Sequence, residues 1–107
     1  MTNLEFNHLV EHRLGMCRKV LVKKASEYAP DDEERLHNFY AGAAILGDTP
    51  AEYCLNLMTK HLVCVMEMAR AEGSFDQGYI DEKFGDLLNY VLLLEALVVD
   101  MGGVVPE

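Results

Sequence analysis

The stretch that most constrains this chain is Glu82-Lys83-Phe84-Gly85-Asp86-Leu87-Leu88-Asn89-Tyr90, which opens its last long apolar run. From Leu87 to Val99 only Asn89 and Glu95 are polar. As a helix this segment is apolar nearly all round, so it is expected to be buried on most of its perimeter. Glu82, Asp86 and Asn89 recur at i, i+4 and i+7 and share one face of that helix. A carboxylate and an amide carried into such a helix must find partners, because an unpaired buried polar group costs about 1–3 kcal/mol. The spacing therefore marks where a site lies before it says what the site does.

The rest of the chain reads as helices that can cover this one. Phe6, Val10, Leu14, Cys17, Leu21 and Ala25 recur at three and four residues and predict a first helix from about Leu4 to Ser26. Gly15 is tolerated inside it, and Tyr28-Ala29-Pro30 ends it, since the residue before proline is pushed out of the α region. Asp31 followed by Glu34 fits a capping box for a second helix, whose apolar face is Leu36, Phe39, Tyr40, Ala43 and Leu46. Ala41-Gly42-Ala43-Ala44 lets another helix approach closely, and Gly47 suits the helix end. Thr49-Pro50-Ala51-Glu52 starts a third helix with a capping box and proline at its first position. That helix carries a polar stripe of Glu52, Asn56, Lys60, Glu67 and Arg70, with His61 off the stripe among apolar residues. Ala71 to Gly78 reads as a loop from which Phe75 packs back on the core. The prediction is an all-α, single-domain four-helix bundle, with helices near residues 4–27, 32–46, 50–70 and 79–100, each boundary good to about 2–4 residues. Two helices with so much apolar perimeter also imply packing between subunits, in a homodimer or higher homo-oligomer.

Composition narrows the function. The chain has 107 residues, half of them apolar, and a net charge of −9. That charge argues against wrapping a nucleic-acid backbone as the main task. Arg13, Arg18, Lys19, Lys23 and Lys24 are five of the nine basic residues. They read as a solvated helix face, or alternatively as a patch for an anionic ligand or partner. The three cysteines, Cys17, Cys54 and Cys64, form no CxxC pair and read as small buried thiols in a reducing compartment. Met1 to Val10 carries Glu5 and His8 where a signal peptide places its apolar segment, and Leu87–Val99 is shorter than the roughly 20 residues that span a bilayer. The expectation is a cytoplasmic protein without a membrane segment.

A short loop makes the third and fourth helices antiparallel neighbours. Folding them near residues 74 and 75 sets Glu67 level with Glu82 and Lys60 level with Asn89, with Asp86 about one turn from Lys60 and His61. If the polar faces turn inward, one seam gathers Lys60, His61, Glu67, Glu82, Asp86 and Asn89. Each has a plainer reading beside the functional one. Lys60 can pair with Asp86 simply to hold the helix register, and His61 can be a hydrogen-bonded core histidine. Glu67 and Glu82 can be solvated. His37 and Asn38 can face the same pocket or stand exposed. Asp86 with Asn89 is the strongest functional pair, because an apolar helix needs neither.

KKASEYAPDDEERLHNF, then KH within a helix, then EKFGDLLNYVLLLEAL resembles small phage and bacterial proteins of the nucleotide-modification-associated type. Those proteins share K-x-x-x-Y, N-F, a lysine-led helix and D-x-x-N-Y, and the likeness spans about residues 23 to 97. More distantly, EKFGDLLNY is similar to the E-E-L-G-D-x-L-x-Y helix of MazG-like all-α nucleoside triphosphate pyrophosphatases. That resemblance implies magnesium held on a triphosphate by acidic residues of two adjacent helices, here Glu82 and Asp86 with Glu67. Two departures weaken a two-metal site. Lys83 stands in place of a glutamate, and the third helix offers Lys60, His61 and a single Glu67. Magnesium needs only one or two carboxylates beside phosphate oxygens, so a single-ion site stays open. The lysines could instead meet phosphate directly.

Three functions follow from these residues. The first is a protein, of phage type and linked to nucleotide metabolism, that binds a nucleotide or phosphorylated small molecule with Lys60, His61, Asp86, Asn89 and Asn38. If it is phage-encoded, it works in the host cytoplasm. The second is a non-catalytic module that acts on a host factor through its acidic surface. The third is a magnesium-dependent pyrophosphatase.

Overall fold

The computed structural model describes residues 1–24 and 34–102. Among the described residues every regular element is helical, so the chain is all-α. No helix among them is long and apolar enough to cross a membrane. The chain divides into two compact units, residues 1–33 and 34–107, each described here by itself.

In the first unit, α1 spans Asn3–Arg18. It begins on a capping box: Thr2 Oγ1 accepts from the Glu5 amide at 3.1 Å, and Glu5 Oε2 accepts from the Thr2 amide at 3.3 Å. Of its expected stripe, Cys17 is buried, Val10 and Leu21 are half-buried, and Phe6 and Leu14 are exposed. The expected α-helix does not continue to Ser26. A π-helical segment takes over at Lys19–Lys24. Val20 and Val22 crowd a regular helix at Cβ, and Lys19 repels Lys23 at i, i+4, so the α register is weakest here. The proline stop at Tyr28-Ala29-Pro30 and the cap at Asp31 lie outside the described residues.

The second unit is built from α2 (His37–Leu46), α3 (Pro50–Arg70) and α4 (Gln77–Asp100). The expected start of α2 at residue 32 is corrected. Glu34 to Leu36 are not helical, and the Glu34 carboxylate accepts from the Leu36 amide at 3.2 Å. Such a local side-chain bond offers the backbone an alternative to the first helical turn. The helix therefore opens at His37 with Leu36 in the cap position and no side-chain cap. Its other end is as expected, with Gly47 at φ 75° and the amides of Gly47 and Asp48 donating to the Ala43 carbonyl.

The small-residue stretch of α2 is where α3 comes close. Ala43 is buried, and a Cβ on Gly42 would overlap the Tyr53 ring. Thr49 caps α3 by accepting from the Glu52 amide at 3.2 Å and donating its hydroxyl to Glu52 Oε1 at 2.8 Å. Asp76 caps α4 by accepting from the Tyr79 amide at 2.8 Å, which starts that helix two residues before the expected Tyr79. Phe75 does not pack back on the core; it stays exposed and stacks on Tyr79, centroids 5.7 Å apart.

Leu36, Cys54 and Leu97 form the buried centre, with Phe39, Tyr90, Leu93, Leu94 and Ala96 against it. Tyr40 on α2 donates its hydroxyl to the Asp100 carboxylate at the end of α4. The expectation that α4 is buried nearly all round does not hold within the chain, since Val91, Leu92 and Val98 are exposed. The two described neighbours of α4 in this unit cannot enclose a cylinder that is apolar on every side.

Candidate functional site

Contacts along the α3/α4 seam show its direction. Cys54 meets the Tyr90 carbonyl at 4.0 Å, and further along α3 His61 meets Asp86. Residue numbers rise on one helix as they fall on the other, so the pair is antiparallel, as the short connection requires.

His61 is the residue that enters the seam. Its side chain is 13% exposed, and Nδ1 lies 3.7 Å from Asp86 Oδ2. The imidazole stacks on the Tyr90 ring, with centroids 5.0 Å apart and planes 26° from parallel. Asp86 is 43% exposed at its side chain, so solvent reaches the carboxylate from one side. Burial, with the neighbouring Cys54, Asp86 and Tyr53 adding to it, pushes the Tyr90 phenol above its usual range. Burial likewise pushes up the Cys54 thiol, which suits a packed thiol rather than a nucleophile.

One turn along α4 from Asp86, Asn89 Oδ1 is shielded from solvent and accepts no hydrogen bond among the described residues. Lys60 is exposed, and among the described residues no ion pair joins it to Asp86. The expected Lys60–Asp86 pair is thus replaced by His61–Asp86. Lys60 still shares a flank with Asn89. Counted at 3.6 residues per turn, Lys60 lies almost directly above Tyr53 on α3, and Asn89 almost directly below Asp100 on α4. Tyr53 and Asp100 both meet α2.

The remaining site residues stand apart. Glu67 and Glu82 are exposed, and His37 and Asn38 are exposed in the first turn of α2. Glu82 is engaged by Lys83 at 3.3 Å, and this hydrogen bond raises the lysine's pKa against a smaller opposing effect of burial. Lys83 Nζ also lies 5.3 Å from the centre of the Tyr79 ring. The lysine that departs from the pyrophosphatase pattern therefore occupies the first carboxylate of that pattern. Among the described residues no three His, Cys, Asp or Glu side chains converge to hold a metal ion. Glu67, Glu82 and Asp86 therefore do not gather into such a group.

The tertiary structure adds two features the sequence reading lacked. Tyr90 forms a stacked aromatic wall beside His61, which the D-x-x-N-Y spacing contains but does not orient. At the head of α2 the Leu36 side chain makes no cap bond and the Glu34 carboxylate accepts from the Leu36 amide, and Leu36 belongs to the cluster against which Tyr90 packs. Such a helix start carries partial positive charge and suits an anion. Comparison with known protein families, curated proteins and solved structures gives no match for this chain.

Proposed function

We propose that this chain binds a nucleotide or a phosphorylated small molecule at the α3/α4 seam, beside the head of α2. The observation that carries the reading is the unpartnered Asn89 Oδ1, one turn along α4 from the Asp86 that His61 meets. A shielded acceptor without a donor costs about 1–3 kcal/mol, and a ligand N–H or O–H removes that cost. In this reading Asn89 reads a base or sugar edge, and Asp86, oriented by His61, accepts a ligand hydroxyl. Lys60 and the positive end of the α2 dipole meet phosphate. The phage-type nucleotide chemistry implied by the resemblance of KKASEYAPDDEERLHNF, KH and EKFGDLLNYVLLLEAL agrees with such a ligand. Magnesium-dependent hydrolysis is the weaker reading, because Glu82 is tied to Lys83 and the acids are not gathered. An interaction module that acts on a host factor through the acidic surface remains a separate reading.

A thermal-shift series of nucleoside mono-, di- and triphosphates, with and without magnesium, tests the proposal. A ligand at one hundred times its Kd stabilises the folded state by about 2.7 kcal/mol and raises Tm accordingly. Asn89→Leu is expected to raise Tm without ligand and to abolish the ligand-induced rise. A flat response to every nucleotide, or an unchanged response in Asn89→Leu, counts against the site.

A further inference from the structure

His8 and His12 stand four residues apart within α1, which puts both imidazoles on one face with Cβ atoms about 5–6 Å apart. Both residues are exposed. The backbone beneath them is regular helix, because the capping box at Thr2 fixes the first turn and the histidines follow in the next two. Glu5 and Glu11 each lie three residues from His8, one before it and one after. Residues three apart are neighbours on a helix, so two carboxylates stand within a turn of the first imidazole. Gly15 comes one turn beyond His12 and places no side chain there. A Cβ added to it would meet nothing within 4 Å.

We propose that His8 and His12 form a two-imidazole site for a divalent late transition metal of the nickel, copper and zinc class. Four-residue spacing on a helix is the spacing at which paired histidines ligate zinc from a single face. Imidazole nitrogen suits these metals, whereas magnesium selects oxygen. Each ring ligates through one nitrogen and keeps the other for a hydrogen-bond partner, as metal-bound histidines commonly do. Once one ring holds the ion, the second meets it within the same molecule, and that linkage multiplies the affinity. Among the described residues no third His, Cys, Asp or Glu joins the pair. Water therefore completes the coordination, and it has room on the Gly15 side. Charge agrees. The carboxylates of Glu5 and Glu11, in a chain at −9 overall, favour a divalent cation. A bound ion ties two successive turns of α1 together. The site lies wholly within the first unit and does not rest on the reading of the α3/α4 seam.

Calorimetric titration of the full chain with nickel chloride near neutral pH tests this. Binding is expected in the parent and is expected to weaken about tenfold or more in His8→Gln and in His12→Gln, since either change leaves a single ring. Glutamine is a good helix former, so both variants should keep the parent's circular dichroism. Proton spectra recorded during a zinc titration supply a second measurement. The ring signals of His8 and His12 are expected to shift together, over the same range of zinc. A parent that takes up no nickel overturns the proposal. So does binding that both variants leave unchanged, or loss in one variant alone, or zinc that moves only one of the two rings.

Discussion

Asp86 carries much of the site reading, and its surroundings determine how a substitution there behaves. Its partner is a histidine at 3.7 Å, and its own side chain is 43% exposed. Ion pairs open to solvent contribute about 0–1 kcal/mol, so Asp86→Asn is expected to lower the unfolding free energy by no more than that. The larger loss that unpairing a buried lysine would bring does not apply, because Lys60 stands in solvent. Ligand affinity is where the variant should show itself, with a drop of at least tenfold measured by titration calorimetry against the nucleotide that shifts Tm most. A stability loss beyond about 3 kcal/mol, of the size seen when one member of a buried pair is removed, would instead make the pair a structural keystone. Unchanged affinity would remove Asp86 from the ligand.

At the scale of elements, α2 meets α3 through the absence of a side chain. Gly42 lies against the Tyr53 ring so closely that a methyl group has no room. Alanine in a helix interior ordinarily stabilises by about 1 kcal/mol relative to glycine. Here overpacking opposes it, at about 1–3 kcal/mol, and the rigid ring cannot swing aside as a flexible chain would. Gly42→Ala is expected to lower the urea midpoint, and adding Tyr53→Leu to recover part of the loss. A Gly42→Ala chain as stable as the parent would mean that the helices slide apart without cost. The element boundaries teach a related lesson. Thr49-Pro50 made the start of α3 readable, since the cap and the proline act within one turn. Asp31 and Glu34 looked equally clear, yet Glu34 bonds to the Leu36 amide and α2 starts only at His37.

Alkaline pH acts on the molecule as a whole. The Tyr40 phenol is raised, chiefly by its hydrogen bond to Asp100, and the Tyr90 phenol by burial. The Lys83 ammonium is raised chiefly by its hydrogen bond to Glu82. In each case the folded state holds its proton more tightly than the unfolded chain. The stability linked to that proton is fully present below the ordinary values near 10, and it is lost as pH rises through the folded-state values. Burial raises the Cys54 thiol as well, from an ordinary value near 9, so urea midpoints are expected to begin falling near pH 9 and to fall further beyond about 10. Tyr40→Phe is expected to start lower, having lost the Asp100 bond, and to decline less steeply. Parallel pH profiles for the two chains would show that the Tyr40–Asp100 bond contributes no linkage.

The sequence by itself determined what local physics can determine. Periodicity made the chain helical, Thr49, Pro50 and Gly47 placed ends of α2 and α3, and the short connection after Arg70 brought α3 and α4 together in register. It also put Asp86 and Asn89 on one face, because spacing along a helix is a local property. Only the tertiary structure decided which of the adjacent Lys60 and His61 turns inward. Neighbours on a helix differ by about 100°, so the rotation of α3 about its own axis decides between them. The packing chose the ring that stacks on Tyr90 and left the lysine in water. Packing of α4 likewise left Phe84, Val91 and Val98 turned outward. A sequence states how much apolar perimeter a helix has. Which part of it meets the chain's own helices depends on how those helices pack.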